Sequence, residues 1–234
     1  MRAQIVVKVG QQSIEVSPED WATIAQYLEK MLVVNESINL TAVRDYDSGV
    51  VLHVEDSLAA VSLVQELLKG HLADIGSGCG FPGIALAIAL HERCNLIDSS
   101  SKKMKAVAGI LKDMGLGDQI ITHAERIEEH AQINPNGYNM VTARALASIR
   151  VSLELASPLL EIGGHLLLYK SSKVDEELEE AAPMADKVGM TFALREDLSL
   201  SNGDPRSIVV YEKTHEPLIT LPRRVGKAQK SPLS

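Results

Sequence analysis

From Val16 to Asn35 the chain reads VSPEDWATIAQYLEKMLVVN. Trp21, Ile24, Ala25, Leu28, Met31 and Leu32 recur there at the three-to-four-residue spacing of one helix face. Ser17 stands where a helix N-cap belongs, Pro18 in the first turn and Asp20 at the capping-box position. A second apolar-rich stretch, Val50 to Leu68, also predicts helix, and the polar NESINLTAVRDYD between them predicts turns. Residues 1–70 are therefore expected to form a helical cap.

After residue 70 the period changes. Short apolar runs (HLADI, CNLID, QIITH, NMVTA, GHLLLYK and SIVVYEK) alternate with the helical stretches PGIALAIALHE, SKKMKAVAGILKDMGL and VDEELEEAAPMADKVGM. Strands alternating with helices predict an α/β fold around a parallel sheet with right-handed crossovers. The expected division is a core over 71–213 and a basic, irregular arm over 214–234, all in one compact unit.

The 234 residues are 45% hydrophobic and 23% charged, as in an ordinary globular protein. No apolar run approaches the ~18 residues of a membrane span, and MRAQIVVKVGQQ makes a poor signal peptide. Cys79 and Cys94 form no CxxC pair. A reducing, cytoplasmic setting is the expectation. The net charge of −8 speaks against unselective coating of nucleic acid. Its distribution matters more: beyond Thr214, Arg223, Arg224, Lys227 and Lys230 face Glu216 alone, which permits a local basic site. The acidic run DEELEE, Asp175 to Glu180, reads as a solvated helix face.

LADIGSGCGFPGIALAI, Leu72 to Ile88, sets four glycines within eight positions between two apolar runs. Strand, glycine loop and helix open a doubly wound sheet, whose ligands lie beyond the strand ends. Gly78-x-Gly80-x-x-Gly83 matches a dinucleotide fingerprint. Read from Asp74, Asp74-x-Gly76-x-Gly78-x-Gly80 is the arrangement of S-adenosylmethionine-dependent methyltransferases. A carboxylate repels pyrophosphate and attracts a sulfonium and an ammonium, and Pro82 removes one amide donor. Electrostatics thus favours the methyl donor.

Asp98 ends the next strand, 20 residues past Gly78, where a carboxylate can accept from both ribose hydroxyls of either cofactor or cap the following helix. Ala124 and Glu125 follow the third strand, where adenine would lie. Arg144 ends an otherwise apolar fourth strand; it suits an RNA phosphate or a guanine edge, or else an ion pair with Asp74, Asp98 or Glu125. No Pro-Pro-aromatic motif for exocyclic amines follows that strand, and neither cysteine is placed to act as a cytosine nucleophile. His53, Asp56 and Ser57 lack a nucleophile elbow, leaving His53 as a cap or an RNA-facing group. No His/Cys cluster has zinc spacing, so no metal is expected. Lys170, Arg223, Arg224, Lys227 and Lys230 are candidate phosphate contacts. With only 3% aromatic residues, Phe81 is the main candidate for stacking near the methyl.

NLTAVRD, HVEDSL, LADIGSGCGFPGIALAI, LIDSSSKK, TARALAS, LLLYK and PRRVGKAQKSPL stand in the order and spacing of one family. The chain resembles the small-subunit ribosomal RNA guanine-N7 methyltransferases of the RsmG or GidB type from about Asn39 to Leu233. The resemblance implies a Rossmann-like, seven-stranded methyltransferase sheet with an N-terminal helical cap. It also implies S-adenosylmethionine as cofactor, a guanine in 16S ribosomal RNA of the small subunit as substrate, and cofactor contacts at Gly76, Phe81, Ala124, Glu125 and Arg144. Leu52 stands where the family often has Arg, Asn139 where Asp is usual, and Ser171 where Gly is common. Guanine N7 needs no general base, so none is expected, and the protein is expected to act as a monomer. A small-molecule methyltransferase, a non-catalytic S-adenosylmethionine-binding module and an NAD-linked reductase are the competing readings.

Overall fold

The computed structural model describes residues 5–9, 12–171 and 173–233. Residues 1–4, 10, 11, 172 and 234, which include parts of the expected cap and arm, lie outside that description. The chain opens with an antiparallel hairpin, β1 (Ile5–Val9) and β2 (Gln12–Val16), where the sequence reading expected only a helical cap. Ile14 and Val16 are buried, so the alternation of β2 has a core-facing side after all.

Helix α1 (Pro18–Ile38) starts as expected: the Ser17 hydroxyl accepts the Asp20 N–H at 3.0 Å. It ends at Asn39, whose left-handed φ of 58° closes the helix. The buried face runs through Ile24, Tyr27, Leu28, Met31 and Asn35. Trp21, Ala25 and Leu32, expected on that face, are only partly buried, and Tyr27 takes the central place. α2 (Tyr46–Gly49), a π-helical turn (Val50–Glu55), α3 (Asp56–Leu58) and α4 (Val61–Leu67) complete the cap. The widened π turn carries Leu52 and His53, and leads into Asp56 at the start of α3, the kind of irregularity that recurs at functional sites.

The core elements follow as β3 (Leu72–Ile75), α5 (Gly83–Leu90), β4 (Cys94–Ile97), α6 (Ser101–Asp113), β5 (Ile120–His123), α7 (Ile127–Ile133) and β6 (Tyr138–Arg144). Then come α8 (Ile149–Ala156), β7 (Leu160–Lys170), α9 (Val174–Ala185), β8 (Met190–Ser199), β9 (Pro205–Lys213) and α10 (Lys227–Lys230). Among the described residues the sheet has seven strands in the order β5-β4-β3-β6-β7-β9-β8. Pairings from β5 to β7 are parallel; β9 runs antiparallel to β7 and β8. The chain winds from β3 to β5 in one direction and returns to β6 on the other side of β3. Ligands of such sheets bind at that reversal.

One apolar cluster joins hairpin, cap and glycine loop to one face of the sheet, and a second packs α7, α8 and α9 on the other. No helix among the described residues is long and apolar enough to cross a membrane.

The acidic run on α9 is a solvated face, with Asp175, Glu176, Glu179 and Glu180 exposed. Glu177 is the partly buried one: it accepts Lys170 Nζ at 2.6 Å and the Ile149 N–H at 2.7 Å, while Asp175 holds Arg195. Asn139 explains its own departure from the family pattern. It accepts the Lys69 N–H and donates to Glu161 at 2.9 Å, where an aspartate would set two carboxylates against each other.

Candidate functional site

The glycine loop turns in left-handed backbone at Gly76, Gly78 and Gly80, with φ values of 67°, 55° and 94°. At Gly80 a Cβ would stand 2.3 Å from Ile84 Cδ1 and 2.9 Å from the Tyr27 hydroxyl, so α1 and α5 close on the loop there. At Gly78 a Cβ would meet only Gly76 O, at 3.9 Å, which leaves open space for a ligand against the backbone. Tyr27 donates to Cys79 O at 2.7 Å and fixes the loop from the cap. Burial pushes the Cys79 thiol up, which suits a structural loop residue and not a nucleophile.

Asp74 corrects the electrostatic expectation. It is fully buried, accepting the Gly83 N–H at 3.1 Å and the Thr142 hydroxyl at 2.9 Å. It therefore shapes the loop and does not face a ligand. Burial raises its carboxyl to about 7, and the two hydrogen bonds hold it down only in part. A carboxyl raised on folding favours the native state below its unfolded value, and that contribution is lost as pH climbs through about 7. Asp74→Asn keeps the shape without the charge. Its stability relative to the parent is expected to rise between about pH 4 and 8 by a few kcal/mol, read by denaturant unfolding at both values. Parallel curves would contradict the burial of an ionisable carboxyl at this place.

Asp98 lies just past β4 and is only partly buried; its carboxylate accepts the Gly78 N–H at 3.0 Å and the Ser100 N–H at 2.8 Å. Ser100, not Asp98, caps α6. Ala124 is exposed nearby, whereas the Glu125 side chain is committed: it accepts His130 Nδ1–H at 2.6 Å, and His130 Nε2 is hydrogen-bonded to the Tyr138 hydroxyl at 2.6 Å. His123, Glu125 and His130 bring three ligand-type atoms within 4.8 Å of one another, the one such group among the described residues. His/Cys spacing alone does not reveal it because a carboxylate is the third member; both nitrogens of His130 are already hydrogen-bonded.

Arg144 finds none of the partners expected for an ion pair. Its NH1 donates to Leu52 O at 2.8 Å and to Asp56 Oδ2 at 3.0 Å, and its NH2 to His53 Nδ1 at 3.0 Å and Phe81 O at 3.3 Å. One guanidinium thus ties β6 to the cap and to the glycine loop. Asp56 also accepts Arg206 Nε at 3.1 Å, a cation that the sequence reading had passed over. His53 lies flat on Phe81 with centroids 5.3 Å apart, while Tyr27 meets the same ring edge-on at 5.5 Å. Phe81 is buried, so it supports the wall and offers no free face to a base. Burial, helped by Arg144, holds His53 down at about 3, so the ring is neutral at physiological pH.

These groups line a cavity of ≈ 490 Å³ that also takes in Thr41, Ala145, Lys170 and Ser171. Gly76 also lines a smaller one of ≈ 120 Å³, together with Asp98, Arg126 and Ile127. Hollows of comparable size beside the hairpin and between α9 and β8 include nothing from the glycine loop.

The arm corrects a second expectation. Arg223 is no free phosphate contact: both its Nε and NH2 donate to the buried Glu154 carboxylate at 2.6 Å, and NH2 also to Ser231 O. The Gly226 N–H is held by Glu128 at 2.7 Å. The arm is pinned to α7 and α8, so removing it would cost packing as well as charge. Arg224, Lys227 and Lys230 remain exposed on it.

A family model described as "GidB: rRNA small subunit methyltransferase G" matches residues 20–192. "Ribosomal RNA small subunit methyltransferase G" of Streptococcus gordonii is 35% identical over 234 residues, covering 96% of each chain. The protein of that name from Thermotoga maritima is 35% identical over 90% of this chain and 86% of its own, and that from Carboxydothermus hydrogenoformans 32% over all of both. An O-methyltransferase from Bacillus cereus, solved with SAH, superposes with a TM-score of 0.60 at 17% identity, over 80% of this chain and 90% of that one. That likeness carries the fold alone.

Proposed function

The chain belongs to the GidB family, the rRNA small subunit methyltransferases G, and on that footing we propose that it methylates N7 of a guanine in 16S RNA of the small ribosomal subunit. It is an S-adenosylmethionine-dependent enzyme of the class I methyltransferase fold. The observation that carries the proposal is that Gly76 lines two cavities, one taking in the Asp98 carboxylate and the other walled by Arg144, Lys170 and Arg206.

In this reading Asp98 accepts from the ribose hydroxyls, and the backbone of Gly76, Gly78, Phe81, Ala124 and Glu125 lines the cofactor. Asp74 acts through Gly83, and Arg144 holds the shared wall. When bound, S-adenosylmethionine supplies an electrophilic methyl on a positively charged sulfur. Guanine N7 has an in-plane lone pair and no proton, so no side chain has to remove one. The protein contributes alignment and exclusion of water, which can lower a barrier by several kcal/mol. Arg224, Lys227 and Lys230, exposed on the arm, supply the phosphate contacts, which position RNA without reading its sequence, while Lys170 and Arg206, held by Glu177 and Asp56, wall the cavity. Leu52 meets Arg144 through its carbonyl, which any residue could supply, so losing the family's usual arginine there leaves this link intact. The protein acts as a cytoplasmic monomer without a metal.

Neutral His53 fits a reaction without a general base. Asp74 titrates near neutrality, so the test uses Asp74→Asn protein. Its single-turnover rate of methyl transfer is expected to stay flat from about pH 6 to 9. An ionisation near pH 7 that persists in this variant would reveal a proton acceptor and contradict the N7 assignment.

A further inference from the structure

We propose that Thr41 selects the target base by donating to guanine O6, as a hydroxyl that can give a hydrogen bond and has no lone pair left to accept one. The proposal rests on the function given above. The loop that carries Thr41 is held firmly: its N–H donates to Asn35 Oδ1 at 2.9 Å, and Asn35 Nδ2 donates to Val43 O at 2.8 Å.

The protonation pattern follows from one cation. A guanidinium has donors only, so His53 Nδ1, 3.0 Å from Arg144 NH2, must accept. The ring is neutral, hence its proton sits on Nε2. That nitrogen lies 3.0 Å from Thr41 Oγ1 and donates to it. The Val43 N–H donates to the same oxygen at 3.3 Å. Both lone pairs of Oγ1 are then filled. Its own proton has no acceptor among the described residues, and the side chain lines the ≈ 490 Å³ cavity.

A hydroxyl restricted to donating suits one edge of one purine. Beside N7, guanine carries the O6 acceptor, whereas adenine carries an amino group. Adenine would set donor against donor and leave the Thr41 proton unpaired, the kind of mismatch on which discrimination rests. Donation to O6 leaves the N7 lone pair free for the methyl. Thr41 shares its cavity with the Gly76 and Gly78 backbone as well as with Lys170, Ser171 and Arg206, so its hydroxyl lines the space in which methyl donor and target base would meet.

The test combines Thr41→Val and Thr41→Ser with small-subunit RNA carrying either guanine or 2-aminopurine, which lacks O6, at the mapped target. Thr41→Val is expected to lower kcat/KM on guanine about 10- to 100-fold. The serine variant should stay within about threefold of the parent, and S-adenosylmethionine should bind all three proteins equally in calorimetry. The parent should prefer guanine over 2-aminopurine by a similar factor, and Thr41→Val should show no preference. A preference that survives in Thr41→Val overturns the assignment. So does a valine variant that loses cofactor affinity while its RNA parameters stand. Parent protein that methylates no guanine at all would instead overturn the function on which the assignment rests.

Discussion

Arg144→Met is expected to abolish methyl transfer, with a loss of about 100-fold or more, and to lower the stability of the fold by about 3–5 kcal/mol. The Arg144 side chain is 13% exposed and that of its partner Asp56 only 4%, so water does little to replace the guanidinium. Its removal leaves Leu52 O, Phe81 O and His53 Nδ1 without their donor, and Asp56 with Arg206 alone. Those groups belong to the π turn, the glycine loop and the wall beneath Thr41, so lost bonds become lost geometry. Arg144→Lys would rescue little, because one ammonium cannot span acceptors on both sides of a planar fork. Equilibrium unfolding gives the first quantity and single-turnover transfer the second. Stability lost with activity intact would mean that Arg144 is only a strut.

Asp98→Ala is expected to weaken S-adenosylmethionine binding about 100-fold with little loss of stability. Hydrogen bonds to a charged acceptor contribute about 1.5–3 kcal/mol each, and the reading gives Asp98 two ribose hydroxyls. The fold depends on it less, since Ser100 caps α6 through its own hydroxyl. Freeing the Gly78 N–H should add to the loss by loosening the loop. Asp98→Asn, which can still accept from Gly78, should fall between the parent and the alanine variant. Calorimetry with the cofactor alone checks the series, and an unchanged Kd for Asp98→Ala would remove Asp98 from the ribose site.

The repeating alternation of apolar runs and helices was legible, and so was the start of α1, because caps and period are local. The glycine loop could be read for the same reason: backbone that must pass through positive φ leaves glycine in the sequence. Three strands escaped. β1 and β2 form a short hairpin whose burial depends on the cap it packs against. β8 is an edge strand bearing Arg195, Glu196 and Asp197, charges that protect an open edge and hide its strand pattern. The site residues were named more accurately than their partners. Arg144 stood out as a cation at a strand end, yet Asp56 lies 88 positions earlier in the chain. Arg223 was recognised as basic, but Glu154, which holds it, is 69 positions away. Asp74 was singled out as a charge facing the ligand, though only tertiary packing reveals that it faces the core. Pairings set by the fold leave no local trace.

The most direct measurement transfers a labelled methyl group from S-adenosylmethionine to small ribosomal subunits that lack the modification, and then identifies the labelled base. The expected product is 7-methylguanosine at a single position in 16S RNA, formed at a rate that collapses in Arg144→Met. Label on an exocyclic amine, on a ribose or on no RNA would contradict it.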